Sequence, residues 1–157
     1  MTNEERFMKE AIALSKKSIE QNEGGPFGCI IVRNNEIIAR GNNRVLVDND
    51  PTAHAEVVAI RNACRHVGTF QLENCEIYSS CEPCPMCLGA IYWARPRIVF
   101  FANTRQDAAS IGFDDSMIYQ EMGQDLSHRK IPVVNLCRQE ALKVFAQWAA
   151  KQDKTLY

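Results

Sequence analysis

Two short segments concentrate the side chains able to do chemistry. His54-Ala55-Glu56 offers an imidazole and a carboxylate two residues apart, and Pro83-Cys84-Pro85-Met86-Cys87 offers two thiols three apart. Two thiolates and one imidazole form a soft-to-borderline donor set suited to Zn²⁺, and three protein ligands leave a fourth position for water, the arrangement of a catalytic centre. Glu56 is then placed to act from outside the metal's ligand shell, taking a proton from a water that zinc has acidified to a pKa of about 7 and giving it up elsewhere. Each half alone has a plainer reading. A His-x-Glu at a helix start complements the helix dipole, and a lone C-x-x-C can be redox-active, with Cys81/Cys84 forming a second, overlapping pair. It is the two halves together, each at the start of an expected helix between strands of one sheet, that favour a metal centre over both.

Elements that could bring these residues to one place are legible along the chain. Residues two apart on an ideal helix diverge by about 200°, so His54 and Glu56 meet at one metal only if His54 lies at the frayed first turn and points off the helix end. Asp50-Pro51-Thr52 just upstream suits that start, and Ala53, Val57, Ile60, Cys64 and Val67 form one apolar stripe that Gly68 ends. Pro85–Ala94 reads as a short helix with proline in its first turn, stopped by Arg95-Pro96. At its start Cys84 and Cys87 lie on one side, and the dipole with its free N–H groups favours their thiolate forms. Cys81, before that helix, is expected to be an unliganded thiol.

Cys75–Ser79 and Arg97–Ala102 flank this helix as strands, and so little linking chain makes a βαβ unit with parallel strands. Upstream, Thr2 and Glu5 fit a capping box for a helix that ends before Gly24-Gly25-Pro26. Phe27–Val32 and Glu36–Asn43 form an antiparallel pair turned by Arg33-Asn34-Asn35, and Arg44–Pro51 reads as a polar loop. Downstream, about thirty residues suffice for one or two helices before a further strand at Ile131–Leu136. A last helix follows at roughly Gln139–Gln152, with Leu142, Phe145 and Trp148 on one face.

The 157 residues amount to about one domain, and 46% apolar with 24% charged residues is a globular composition, excluding disordered, collagen-like and repeat architectures. A formal net charge of -1, from 18 Lys and Arg against 19 Asp and Glu, supplies no global field for a polyanion, so nucleic acid is disfavoured as a partner. No apolar run reaches membrane-spanning length and no signal-peptide pattern opens the chain, so a cytoplasmic protein is expected. Seven cysteines, three of them within Cys81–Cys87, suit metal chemistry better than a disulfide framework.

With Gly24-Gly25-Pro26-Phe27-Gly28, Asn42-Asn43, Asp50–Glu56, Cys81–Pro96, Gly112-Phe113-Asp114-Asp115-Ser116 and the terminal Tyr157, the sequence resembles the cytidine-deaminase superfamily. Within it, the sequence is more similar to the small bacterial guanine deaminases. The Cys81–Pro96 block is shared in part with tRNA adenosine deaminases, whereas Gly112–Ser116 and the terminal Tyr look particular to guanine deaminases. The resemblance implies an α/β fold, a three-layer α/β/α sandwich around a five-stranded mixed sheet, in a single domain over residues 1–157. It implies one Zn²⁺ per subunit on His54, Cys84 and Cys87, Glu56 as proton shuttle, and hydrolysis of guanine to xanthine and ammonia. Asn43 and Asp115 are then expected at the polar edge of the purine, Asp115 because guanine's ring N–H groups and amine are donors and a carboxylate only accepts. Phe27 and Trp93 are expected as pocket walls, with Ala55 also against the substrate. Tyr157 is expected to reach an active site through a tail exchanged in a homodimer.

Without the resemblance, Asp115 reads as a helix cap, Asn43 as a strand-end turn residue, Phe27 and Trp93 as core, and Tyr157 as frayed chain. Rival functions are deamination of guanosine or triazines, then a tRNA adenosine deaminase, which needs a basic face that the scattered Arg61, Arg65, Arg95 and Arg97 do not suggest. A zinc-stabilised binding module is the non-enzymatic alternative. It would close its metal site with a fourth protein ligand, for which Cys81 is the available residue, and has no use for Glu56.

Overall fold

Thr2 starts the first helix as the sequence prescribes: its hydroxyl accepts from the Glu5 N–H at 3.2 Å and the Glu5 carboxylate accepts from the Thr2 N–H at 2.9 Å. In the computed structural model, which describes residues 1–157, this helix is α1 (Asn3–Glu20). A hairpin follows, β1 (Gly28–Arg33) and β2 (Glu36–Asn42), turned by Asn34 and Asn35 with φ of 51° and 63°. Two successive left-handed residues match the right-handed twist of the paired strands, and asparagine tolerates that conformation. The loop expected over Arg44–Pro51 contains one helical turn, α2 (Val45–Asp48), too short to show in a periodicity.

The segments that carry the chemistry come next: α3 (Ala55–Val67), β3 (Cys75–Cys81), α4 (Pro85–Ala94) and β4 (Ile98–Asn103). Gly68 at φ 70° ends α3, and Arg95 at φ 55° ends α4. Strand order is β2-β1-β3-β4, with β1 antiparallel to both neighbours and β3 parallel to β4, as the βαβ reading requires.

Alternation along β1 builds three layers. Ile30 and Val32 meet Phe7 and Ala11 of α1 together with Tyr78 of β3, while Cys29 and Ile31 meet Ala55, Ala59 and Ala63 of α3 together with Ile77. Small residues let α3 approach the sheet closely: a Cβ on Gly41 of β2 would stand 2.5 Å from the Ala59 nitrogen and 3.0 Å from its Cα. Helix and strand are therefore held in one register by backbone contact, which fixes the start of α3 relative to the sheet.

Two compact units divide the chain, Met1–Asp115 and Ser116–Tyr157. The first ends after α5 (Arg105–Ser110), capped by Thr104 and Asp107 in a second capping box. The second holds α6 (Ser116–Met122), a 3-10 turn at Leu126–His128 and α7 (Arg138–Ala150), and none of its side chains is buried. The expected fifth strand at Ile131–Leu136 does not form, so the mixed sheet has four strands rather than five. Its apolar residues read as a strand, but a strand exists only with a hydrogen-bonded neighbour, and Pro132 removes one of the donors. No helix is long and apolar enough to cross a membrane.

Candidate metal centre and active site

His54 and Cys84 are the N-caps of α3 and α4, both with extended backbone, φ/ψ of -69°/154° and -66°/168°. Each side chain therefore leaves its helix at the end instead of joining the helical stripe, which is how His54 escapes the angular conflict with Glu56 two residues on. Pro85 occupies the first turn of α4, where its missing N–H costs nothing, and Cys87 lies one step further round the same turn. The result is convergence: His54 Nδ1 lies 3.5 Å from Cys84 Sγ and 3.5 Å from Cys87 Sγ, and the three ligand atoms all fall within 4.8 Å of one another. Zn–S bonds of about 2.3 Å and Zn–N bonds of about 2.0 Å at a tetrahedral angle separate N from S by about 3.5 Å, so the donor set fits zinc in number, chemistry and spacing.

The two thiols share a proton unequally. A hydrogen bond from Cys87 and another from His54, against the opposing effect of burial, hold the Cys84 thiol down to about 4, so Cys84 is a thiolate at neutral pH. Cys87 is pushed up by that same bond to Cys84 and by its burial. His54 is raised, first by its hydrogen bond to Cys84.

Cys81 is not part of the group. Its Sγ lies 3.7 Å from the Thr104 carbonyl oxygen, to which it donates, and burial pushes its thiol up to about 11. The donor set thus consists of His54, Cys84 and Cys87.

Glu56 lies on the first turn of α3 with only 6% of its surface exposed, and burial raises its carboxyl above the usual range. It accepts a hydrogen bond from Ser79 Oγ at 3.1 Å, and it also interacts with Cys87. Ser79 of β3 is itself buried, and its neighbour Ser80 accepts from the Gly28 N–H at 2.9 Å. Sequence reasoning missed Ser79. Its only advance signal was a polar residue on the face of β3 otherwise formed by Cys75, Ile77 and Cys81, which became meaningful once the packing of α3 on the sheet was known.

Asn43, just after β2, is buried. Its Oδ1 accepts from the N–H groups of Val45 at 3.1 Å and Gly25 at 3.3 Å, which fixes the amide orientation and leaves Nδ2 as the donating end. Gly24 is required beside it, since a Cβ there would overlap the Asn43 side chain. Phe27 is half-buried and meets Phe113 edge-on, with ring centroids 4.9 Å apart. Phe113 thus packs against Phe27, a contact the sequence did not show.

Asp115 is half-buried, its carboxyl raised by burial and next by the negative charge of Cys84, which puts it within electrostatic reach of the metal ligands. Ala55 is fully buried at the start of α3. Trp93 is 64% exposed on α4, and Tyr157 is exposed in the second unit.

The chain is similar to known proteins. The family described as the cytidine and deoxycytidylate deaminase zinc-binding region matches residues 1–103. A guanine deaminase of Bacillus subtilis (strain 168) is 50% identical over 155 residues, 99% of each chain, and a tRNA-specific adenosine deaminase of the same organism is 45% identical over 101 residues, 64% of this chain and 62% of that one. The solved structure of guanine deaminase from Bacillus subtilis superposes with a TM-score of 0.95, at 50% identity and 98% coverage of both chains. With the three metal donors at paired helix ends and a buried glutamate beside them, the chain belongs to the cytidine and deoxycytidylate deaminase zinc-binding family.

Proposed function

We infer that this protein hydrolyses guanine to xanthine and ammonia. The observation that carries the chemistry is the buried Glu56 carboxylate beside the converging His54, Cys84 and Cys87. The substrate rests on the full-length likeness to a guanine deaminase at 50% identity. His54, Cys84 and Cys87 are the metal ligands in this reading. When bound, zinc supplies Lewis acidity and a water acidic enough to lose its proton near neutral pH.

Glu56 accepts the proton of the water that attacks C2 of guanine and delivers it to the adjacent ring nitrogen, making C2 tetrahedral. Glu56 then assists proton transfer to the exocyclic amine, which departs as ammonia while the C2 carbonyl forms. Burial suits Glu56 to both halves of this cycle, because a raised carboxyl pKa makes the proton easier to hold between the two transfers. Ser79 holds the carboxylate in place.

Asn43 Nδ2 donates to an acceptor on the purine, and Asp115 accepts from its N–H groups. Ala55 and the Phe27 ring border the base, with Trp93 on α4 as a further wall. Tyr157 closes the site from a tail exchanged between two copies, so that residues 1–157 act as one catalytic unit within a cytoplasmic homodimer. Two observations support exchange: β4 is the last strand of its sheet, and the apolar Ile131–Leu136 segment and α7 bury none of their side chains.

The deciding experiment is ammonia release by the zinc-loaded protein from guanine, guanosine, adenine and cytosine in parallel. Turnover of guanine alone is the expected result. Activity on guanosine alone reassigns the substrate to a nucleoside, and activity on none of them overturns the inference.

A further inference from the structure

The fold gathers arginines that are far apart in sequence. Arg40 on β2, Arg44 just after it, and Arg61 and Arg65 on α3 line one groove of about 410 Å³ at the β2 edge of the sheet, together with Asp48 and Asp50. Four guanidinium groups against two carboxylates make the lining net positive by two, on a chain whose formal charge is -1.

The arginines are not equally committed. Arg44 grips Asp48 with two hydrogen bonds of 2.9 Å and reaches Glu23 at 3.2 Å, so it is neutralised and serves as wall. Arg61 has Asp50 no closer than 3.8 Å, Arg40 has Glu10 no closer than 3.9 Å, and all four of these side chains are substantially exposed. Arg65 donates to the Asn62 amide oxygen at 3.4 Å. Exposed pairs at such distances are weak, so their guanidinium groups are easily redirected to a better acceptor.

Arg61 and Arg65 lie four apart on one helix face, where like charges repel, and a third charge faces them from the strand. The spacing of these walls is fixed, because Asn62 Nδ2 donates to the Arg40 carbonyl oxygen at 3.0 Å. A repulsive cluster on a rigid frame is what a multivalent anion relieves, and guanidinium forks match phosphate oxygens in pairs. The groove volume falls within the range of small-molecule sites.

We propose that this groove binds a phosphate chain, either free polyphosphate or the phosphates of a nucleotide, at a site separate from the metal centre. The test is calorimetric titration of the zinc-loaded protein at low salt with inorganic triphosphate, GTP and guanosine, repeated on R61Q/R65Q. Triphosphate and GTP are expected to bind saturably, with affinity falling as salt rises, and guanosine not to compete with triphosphate. In R61Q/R65Q the affinity for triphosphate should drop about tenfold or more, with zinc content and guanine turnover unchanged. If that variant fails to fold, R40Q on the opposite wall provides the same comparison. Comparable affinities assign the site to the phosphate chain alone, and tighter GTP binding assigns it to a nucleotide. Absence of triphosphate binding, binding unaffected by the substitutions, or binding of an RNA hairpin but not of triphosphate overturns the proposal.

Discussion

Glu56 sits where water scarcely reaches, and in the proposed role of proton carrier its contribution is separable from metal binding. Replacing it with glutamine keeps the shape and removes the base: E56Q should retain one zinc per chain by metal analysis while guanine turnover falls by about 10²–10⁴-fold. Ser79 acts through Glu56, and its loss has a different signature. S79A should lower kcat about tenfold with KM nearly unchanged, and S79T should restore it, because the variant removes one hydrogen bond to a charged group and touches no substrate. For the thiols the expectation concerns pH. In zinc-stripped protein Cys84, held down to about 4, is ionised throughout pH 5–8, so its alkylation by iodoacetamide should be nearly flat with pH there and suppressed by added zinc. Peptide mapping identifies the labelled cysteine, and a rate rising tenfold per pH unit would instead indicate an ordinary thiol. The convergence of His54, Cys84 and Cys87 was legible because the two motifs occur together, each at the start of a helix between strands of one sheet. Ser79 and Phe113 were not, because serine and phenylalanine are common in interiors and only the three-dimensional register gives them partners.

Helix ends do the positioning at the scale of elements. Two N-caps in extended conformation turn His54 and Cys84 out of their helices toward each other, and close packing of α3 on β2 keeps the His54 end from drifting. G41A should cost about 1–3 kcal/mol in urea unfolding, because its new Cβ meets the backbone of α3 and no flexible side chain can move aside. Caps, the asparagine turn, the stripe of α3 and the βαβ unit could all be read from the sequence, since each rests on local chemistry. The missing fifth strand could not. Ile131–Leu136 has the composition of a strand, but pairing is a property of two segments, and composition reports only one.

At the scale of the whole molecule, non-local proximity supplies what charge counting concealed: a near-neutral chain assembles an arginine-lined groove from β2 and α3. The tail belongs to this scale too. Ending the chain at Lys154 removes Tyr157 and should lower guanine turnover at least about tenfold with zinc content intact. Unchanged kinetics would place Tyr157 outside the site.

The outermost strand has a further consequence. β4 reads Ile98-Val99-Phe100-Phe101-Ala102-Asn103, six residues with no charge, proline or glycine, and its outer edge pairs with nothing in the sheet. Such an edge, guarded only by the flanking Arg95-Pro96-Arg97 and Arg105, is a template for cross-β stacking. A segment that paired with this edge would protect the protein from fibrillar aggregation, and solubility at high expression would report whether such a cover is in place.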